Sequence, residues 1–183
     1  KQATSERKTA KTEMDVINVV WPLLKDIQTA GFGAPKYDCS TATQCACHIN
    51  VTGTETGTNS RTLTIHSTAA GNDQYAGKWG YVGDLCAVTN MYASSGENNV
   101  VVINNTDKSK VSSSPPPTVN ISNLIVTCNS NYVGNVAYWT PYSAAGDLEC
   151  YETSYYLYNS GTAPAMCATG TFSLGRRVST TAG

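Results

Sequence analysis

The apolar residues of this chain change their spacing once, at Gly31-Phe32-Gly33-Ala34-Pro35, and that change constrains the fold more than any other feature. Before it, Ala10, Met14, Ile17, Val20, Trp21, Leu24 and Ile27 recur every three or four residues, which is the apolar stripe of an amphipathic helix. Pro22 lies inside the pattern without an N–H to donate, so a kink near 18–21, or two abutting helices, is expected. Two glycines and a proline then supply a C-terminal cap and a stop. After them the spacing falls to two. Over 45–51, one face would carry Cys45, Cys47, Ile49 and Val51; 61–66 alternates likewise, with a Gly/Thr/Asn-rich hairpin loop between them. Further strands are expected over 85–89, 99–104, 119–128, 136–139, 151–158 and 169–174, and 112–117 reads as a loop or a short polyproline spacer. The expected fold class is α+β: a long N-terminal amphipathic helix over 1–33, packed on an antiparallel β-sheet domain over 34–183 with long loops and disulfides.

Composition narrows the setting. Among 183 residues, 24 Thr, 17 Ser and 15 Asn accompany seven cysteines, while charged residues make up only 14%. Twelve basic residues are matched by 13 acidic ones, which argues against a partner held by phosphate contacts and so against nucleic acid. No run of eighteen apolar residues occurs to span a bilayer. Cys39, Cys45, Cys47, Cys86, Cys128, Cys150 and Cys167 are spread without paired CxxC spacing, so they read as disulfide candidates of an exported, oxidised β-protein. Seven is odd, which leaves one thiol free or paired between chains. Cys45 and Cys47 are expected to bond to different partners, with Cys39 reaching one of them. Cys150 is expected to pair with Cys167 across a Tyr-rich hairpin.

The residue types for catalysis are sparse. Only His48 and His66 could serve as bases; neither lies in a nucleophile motif, and both fall in the polar register of their strands, as surface histidines do. Cys39, Cys45, Cys47 and His48 have the right chemistry for a Cys₃His zinc site. Strand alternation would turn His48 away from the two nearest thiols, and oxidation would consume the sulfurs, so no metal and no cofactor is expected. Asp147, Glu149 and Glu152 read as a solvated turn because they lack calcium-loop spacing. Tyr138, Trp139, Tyr142, Tyr151, Tyr155, Tyr156 and Tyr158 crowd one stretch and could divide between core and a contact surface. Asn50-Val-Thr52, Asn104-Asn-Thr106 and Asn120-Ile-Ser122 match the glycosylation acceptor pattern, as chance permits in so Asn- and Thr-rich a chain.

The helix end Leu23-Leu24-Lys25-Asp26-Ile27-Gln28-Thr29-Ala30-Gly31-Phe32-Gly33, feeding a cysteine-bearing β-domain, resembles the type IV pilin superfamily. Within it, the segment is most similar to minor pilins of the PilW type and to the J-type pseudopilin of type II secretion. Ser154-Tyr155-Tyr156-Leu157-Tyr158 resembles the strand before the family's short Leu-Tyr-Arg sequence, for which Ser173-Leu174-Gly175-Arg176-Arg177 is an imperfect counterpart. Gln28 stands where the family carries arginine. The resemblance implies an apolar membrane anchor before Lys1, and either a missing or separate part beyond Gly183 or a different branch of the family. It also implies a structural, non-enzymatic subunit of a cell-surface filament, extracellular or periplasmic. Its partners would be other pilin or pseudopilin subunits, docked through Met14, Ile17, Trp21, Leu24 and Ile27, with part of that stripe buried on the chain's own sheet. The β-domain would help assembly start or touch a surface at the filament tip. Two other classes compete: a secreted carbohydrate- or surface-binding module using a Tyr/Trp patch, and, last, an exported hydrolase.

Overall fold

The computed structural model describes residues 16–18, 20–40, 44–53, 61–70, 76–91, 98–111, 117–120, 122–141, 150–158 and 173–180. The chain is mostly β-structure, with two four-stranded antiparallel sheets and one short helix of 13 residues among the described residues. This corrects the expectation of an α+β fold built on a long N-terminal helix; positions 1–15 of that helix lie outside the described residues. The helix, α1 (16–28), keeps helical geometry on both sides of Pro22. The carbonyl that Pro22 leaves without a donor belongs to Asn18, which is exposed, so water can satisfy it there.

Sheet A has the order β1-β2-β7-β8, from β1 (Ile49–Thr52), β2 (Thr62–Ser67), β7 (Tyr151–Tyr158) and β8 (Ser173–Thr180). Its register places Ile65 opposite both Ile49 and Thr153, and Tyr155 opposite both Leu63 and Arg176. Because side chains alternate along a strand, these residues share the face that meets α1. Sheet B has the order β3-β6-β4-β5, from β3 (Trp79–Tyr81), β4 (Asn98–Ile103), β5 (Thr118–Val119) and β6 (Val136–Trp139). Val100 and Val102 of β4 and Ala137 and Trp139 of β6 point into one apolar core with Val82, Met91, Val119, Ile125 and Tyr132. Phe32 closes part of the opposite face, set edge-on to Tyr138 with ring centroids 5.2 Å apart. Val101 and Ile103 are therefore buried as well, which explains the unbroken apolar run of β4.

Several strands differ from their expected bounds. The segment 85–89 forms a 3₁₀ turn (Asp84–Cys86) and isolated bridges, because Leu85 and Cys86 both adopt left-handed φ near +57° and +58° and cannot continue a strand. The span 119–128 pairs only at its start and through the bridges Ala87↔Leu124 and Val119↔Ile125. The first strand begins at Ile49, since Gln44–Ala46 forms a 3₁₀ turn.

Three disulfides staple the fold: Cys39–Cys47, Cys45–Cys150 and Cys86–Cys128. Cys45 and Cys47 do take different partners, and Cys39 reaches Cys47. The expected Cys150–Cys167 bridge is replaced by Cys45–Cys150, which brings the start of β7 to the turn before β1; Cys167 lies outside the described residues. Closing a loop of 105 residues stabilises by roughly 4–5 kcal/mol through the unfolded chain. Three such bonds belong in an oxidising, extracellular or periplasmic setting. No helix among the described residues is long and apolar enough to cross a membrane.

Candidate functional site

The glycines after α1 fix how the helix meets the sheets. Gly31 and Gly33 take φ of +74° and +70°, and a Cβ on either would run into His48 or Thr68. The chain can then lie flat on β2: the Gly31 N–H donates to the His66 carbonyl at 2.8 Å, and the Thr68 N–H donates to the Phe32 carbonyl at 2.9 Å. With its end held this way, α1 turns Leu23 and Asp26 toward sheet A, at the three-residue spacing of one helix face.

Asp26 is the centre of that contact. It is 4% exposed, and a carboxylate so buried must be paired and hydrogen-bonded. The Tyr155 hydroxyl donates to its Oδ2 at 2.6 Å, and Arg176 grips both oxygens, Nε to Oδ2 at 2.8 Å and Nη2 to Oδ1 at 3.2 Å. Arg176 Nε also reaches the Tyr155 oxygen at 3.2 Å, so one residue from each of α1, β7 and β8 closes a three-way clasp. Burial, then the bond to Asp26, pushes the Tyr155 phenol up to about 12. The bond to Asp26 raises the Arg176 guanidinium above its ordinary value too.

With Asp26 inward, the apolar stripe of α1 faces out. Ile17, Trp21, Leu24 and Ile27 are 61%, 71%, 46% and 40% exposed, and Val16 and Val20 are exposed beside them. The expectation that part of this stripe buries on the chain's own sheet is corrected for these four residues; Met14 lies outside the described residues. A stripe identifies the apolar side of a helix but not the direction it faces. Here the clasp, rather than the stripe, binds the helix to the sheet.

Each histidine ring reaches a backbone carbonyl. His48 Nε2 lies 2.8 Å from the Pro35 carbonyl, and its ring meets Tyr37 edge-on. His66, expected at the surface, is 5% exposed, because the turn before β1 covers its side of β2. Its Nδ1 donates to the Cys47 carbonyl at 2.6 Å, while Nε2 has no hydrogen-bond partner among the described residues and stands 3.5 Å from Glu152 Oε2. Cys39, Cys45 and Cys47 are consumed in disulfides, which removes the thiolates a zinc site with His48 would need. Asp147 and Glu149 lie outside the described residues, and Glu152 sits in β7 rather than in a turn.

Among the described residues, Tyr138, Trp139, Tyr151 and Tyr155 are divided among separate contacts. Trp139 is buried and stacked on Tyr151, with centroids 6.2 Å apart; Tyr155 is in the clasp, and Tyr138 meets Phe32. Tyr142 lies outside the described residues. Two of the three glycosylation matches serve as turn formers: Asn104 Oδ1 accepts from the Thr106 N–H at 2.7 Å, and Asn120 Oδ1 from the Ser122 N–H at 2.9 Å. Asp38 and Asp107 make the same turns with Ser40 and Ser109, and the seryl hydrogen bonds hold both carboxyls below their ordinary value. The abundance of Asn, Ser and Thr is thus in part the chemistry of a fold with many tight turns.

Comparison with protein-family models, with curated proteins and with solved structures gives no match for this chain.

Proposed function

We propose that this chain is a structural subunit of a filament of the type IV pilus or type II secretion pseudopilus kind, a minor subunit acting in assembly or at the tip. The observation that carries the reading is the orientation of α1: clasped to sheet A through Asp26, it offers Ile17, Trp21, Leu24 and Ile27 to a neighbour. Contiguous apolar surface of this kind marks an interaction site, and a rigid helix offers it at little ordering cost. The disulfides support exposure of the head outside the cytoplasm, at the cell surface.

The gene tests the reading directly. About twenty apolar residues encoded before Lys1, enough to cross a bilayer, are expected; a cleavable secretory leader ending at Lys1 would overturn the filament reading. In solution, Trp21→Ser is expected to abolish binding of this chain to sibling subunits while leaving its melting temperature unchanged.

A further inference from the structure

The three glycosylation matches, equal as sequence, differ once folded. Asn104 and Asn120 are half-buried, and each Oδ1 accepts two backbone N–H bonds of its own turn. Asn104 takes those of Thr106 and Asp107 at 2.7 and 3.3 Å, and Asn120 those of Ser122 and Leu124 at 2.9 and 3.3 Å. A side chain folded back on its backbone in this way holds its amide against the turn. Asn50 is placed differently. It is exposed within β1, and its side chain makes no hydrogen bond among the described residues. Strand alternation puts Thr52, also exposed, on the same face two residues on, where the acceptor pattern needs a hydroxyl. That face is turned away from α1, because the helix meets the face of Ile65 and its partner Ile49.

A second observation concerns the strand itself. β1 is the outermost strand of sheet A, and all four of its residues are exposed, Ile49 and Val51 included. A free edge invites pairing with another chain, and natural edges are blunted by lysine, proline or an inward-pointing charge. Ile49-Asn50-Val51-Thr52 has none of these. A bulky, hydrated group on the middle of the strand would block such pairing sterically.

We infer that Asn50 carries an N-linked glycan, and that this glycan shields the free edge of sheet A. The donor is a polyprenyl-diphosphate-linked oligosaccharide, presented by an oligosaccharyltransferase of the export membrane. Asn50 Nδ2 bonds to C1 of the first sugar while the bond from C1 to the diphosphate oxygen breaks. The diphosphate leaves with the electron pair, and one amide proton passes to a base of the transferase. No electron donor or acceptor is consumed. The three disulfides suit a chain that takes this route. The inference is independent of the filament reading, which concerns the opposite side of the sheet.

Mass spectrometry of the protein as its own cells export it tests the site. The peptide containing Asn50 is expected to carry sugar on that side chain, with Asn104 and Asn120 bare. Thr52→Ser should keep the modification, and Asn50→Gln and Thr52→Val should each lose it. Both positions are exposed, so all three variants should keep the wild-type near-UV spectrum. Purified Asn50→Gln should then aggregate at a lower concentration than the glycosylated wild type. A bare Asn50 in the exported wild type, sugar on Asn104 or Asn120 in its place, or modification that survives Thr52→Val would each overturn the site. Equal solubility of glycosylated wild type and Asn50→Gln would overturn the shielding.

Discussion

Asp26→Ala is predicted to release α1 from sheet A without unfolding the sheets. Breaking a fully buried ion pair costs about 3–5 kcal/mol, but Arg176 is 35% exposed in its side chain and can rehydrate. Discounting for that exposure leaves about 2–3 kcal/mol, mostly the charge-assisted bonds to Tyr155 and Arg176. Asp26→Asn keeps an acceptor for the Tyr155 hydroxyl and loses only the charge, so about 1 kcal/mol is expected. A 13-residue helix is marginal alone, and the clasp with Leu23 is its main hold on the sheet. The loss should therefore appear locally, as hydrogen exchange about 30-fold faster in the amides of 20–28 for Asp26→Ala, while amides of β4 and β6 keep their protection. Urea unfolding of Asp26→Ala, Arg176→Ala and the double variant should give a coupling energy of about 1–2 kcal/mol. Wild-type exchange rates in α1, or additive single and double variants, would falsify the clasp as the attachment.

Two further outcomes are expected. Tyr155 should ionise last among the described tyrosines in an absorbance titration. Its folded value, about 12, lies above the unfolded 10, so the stability it contributes is complete below pH 10 and lost as pH climbs toward 12; ionisation of every tyrosine near 10 would contradict the clasp geometry. Glu152→Gln should leave stability unchanged or raise it by up to about 1 kcal/mol. Glu152 Oε2 stands 3.5 Å from His66 Nε2 with no hydrogen bond between them, so replacing the carboxylate by an amide removes little there; a loss above about 1 kcal/mol in thermal melts would show instead that Glu152 holds His66 in place.

The sequence showed local periods clearly and long-range partners hardly at all. The alternation of 61–66 and 151–158 and the short 136–139 strand appear as β2, β7 and β6 because each has one apolar face to bury. Trp79-Gly80-Tyr81 is too short to announce a strand; it exists because β6 pairs with it. The stripe of α1 was legible, but its outward direction was not, since that is decided by Asp26 meeting an arginine 150 residues later. His66 looked like a surface residue by alternation, yet alternation says nothing of a turn folding over the second face of a sheet. Disulfide pairing was open for the same reason: Cys150 lies near Cys167 in sequence but beside Cys45 in space.

That last pairing also sets an order of events during export. Sheet A joins the first hairpin to strands that begin at residue 151, so a chain emerging from its N-terminus waits through about half its length with β1 and β2 lacking their main neighbour. During that interval Cys39, Cys45 and Cys47 are all at hand, and a Cys39–Cys45 bond would close as readily as the native one. The yield of the native pairing is therefore expected to rise when a catalyst of thiol exchange is supplied during oxidative refolding.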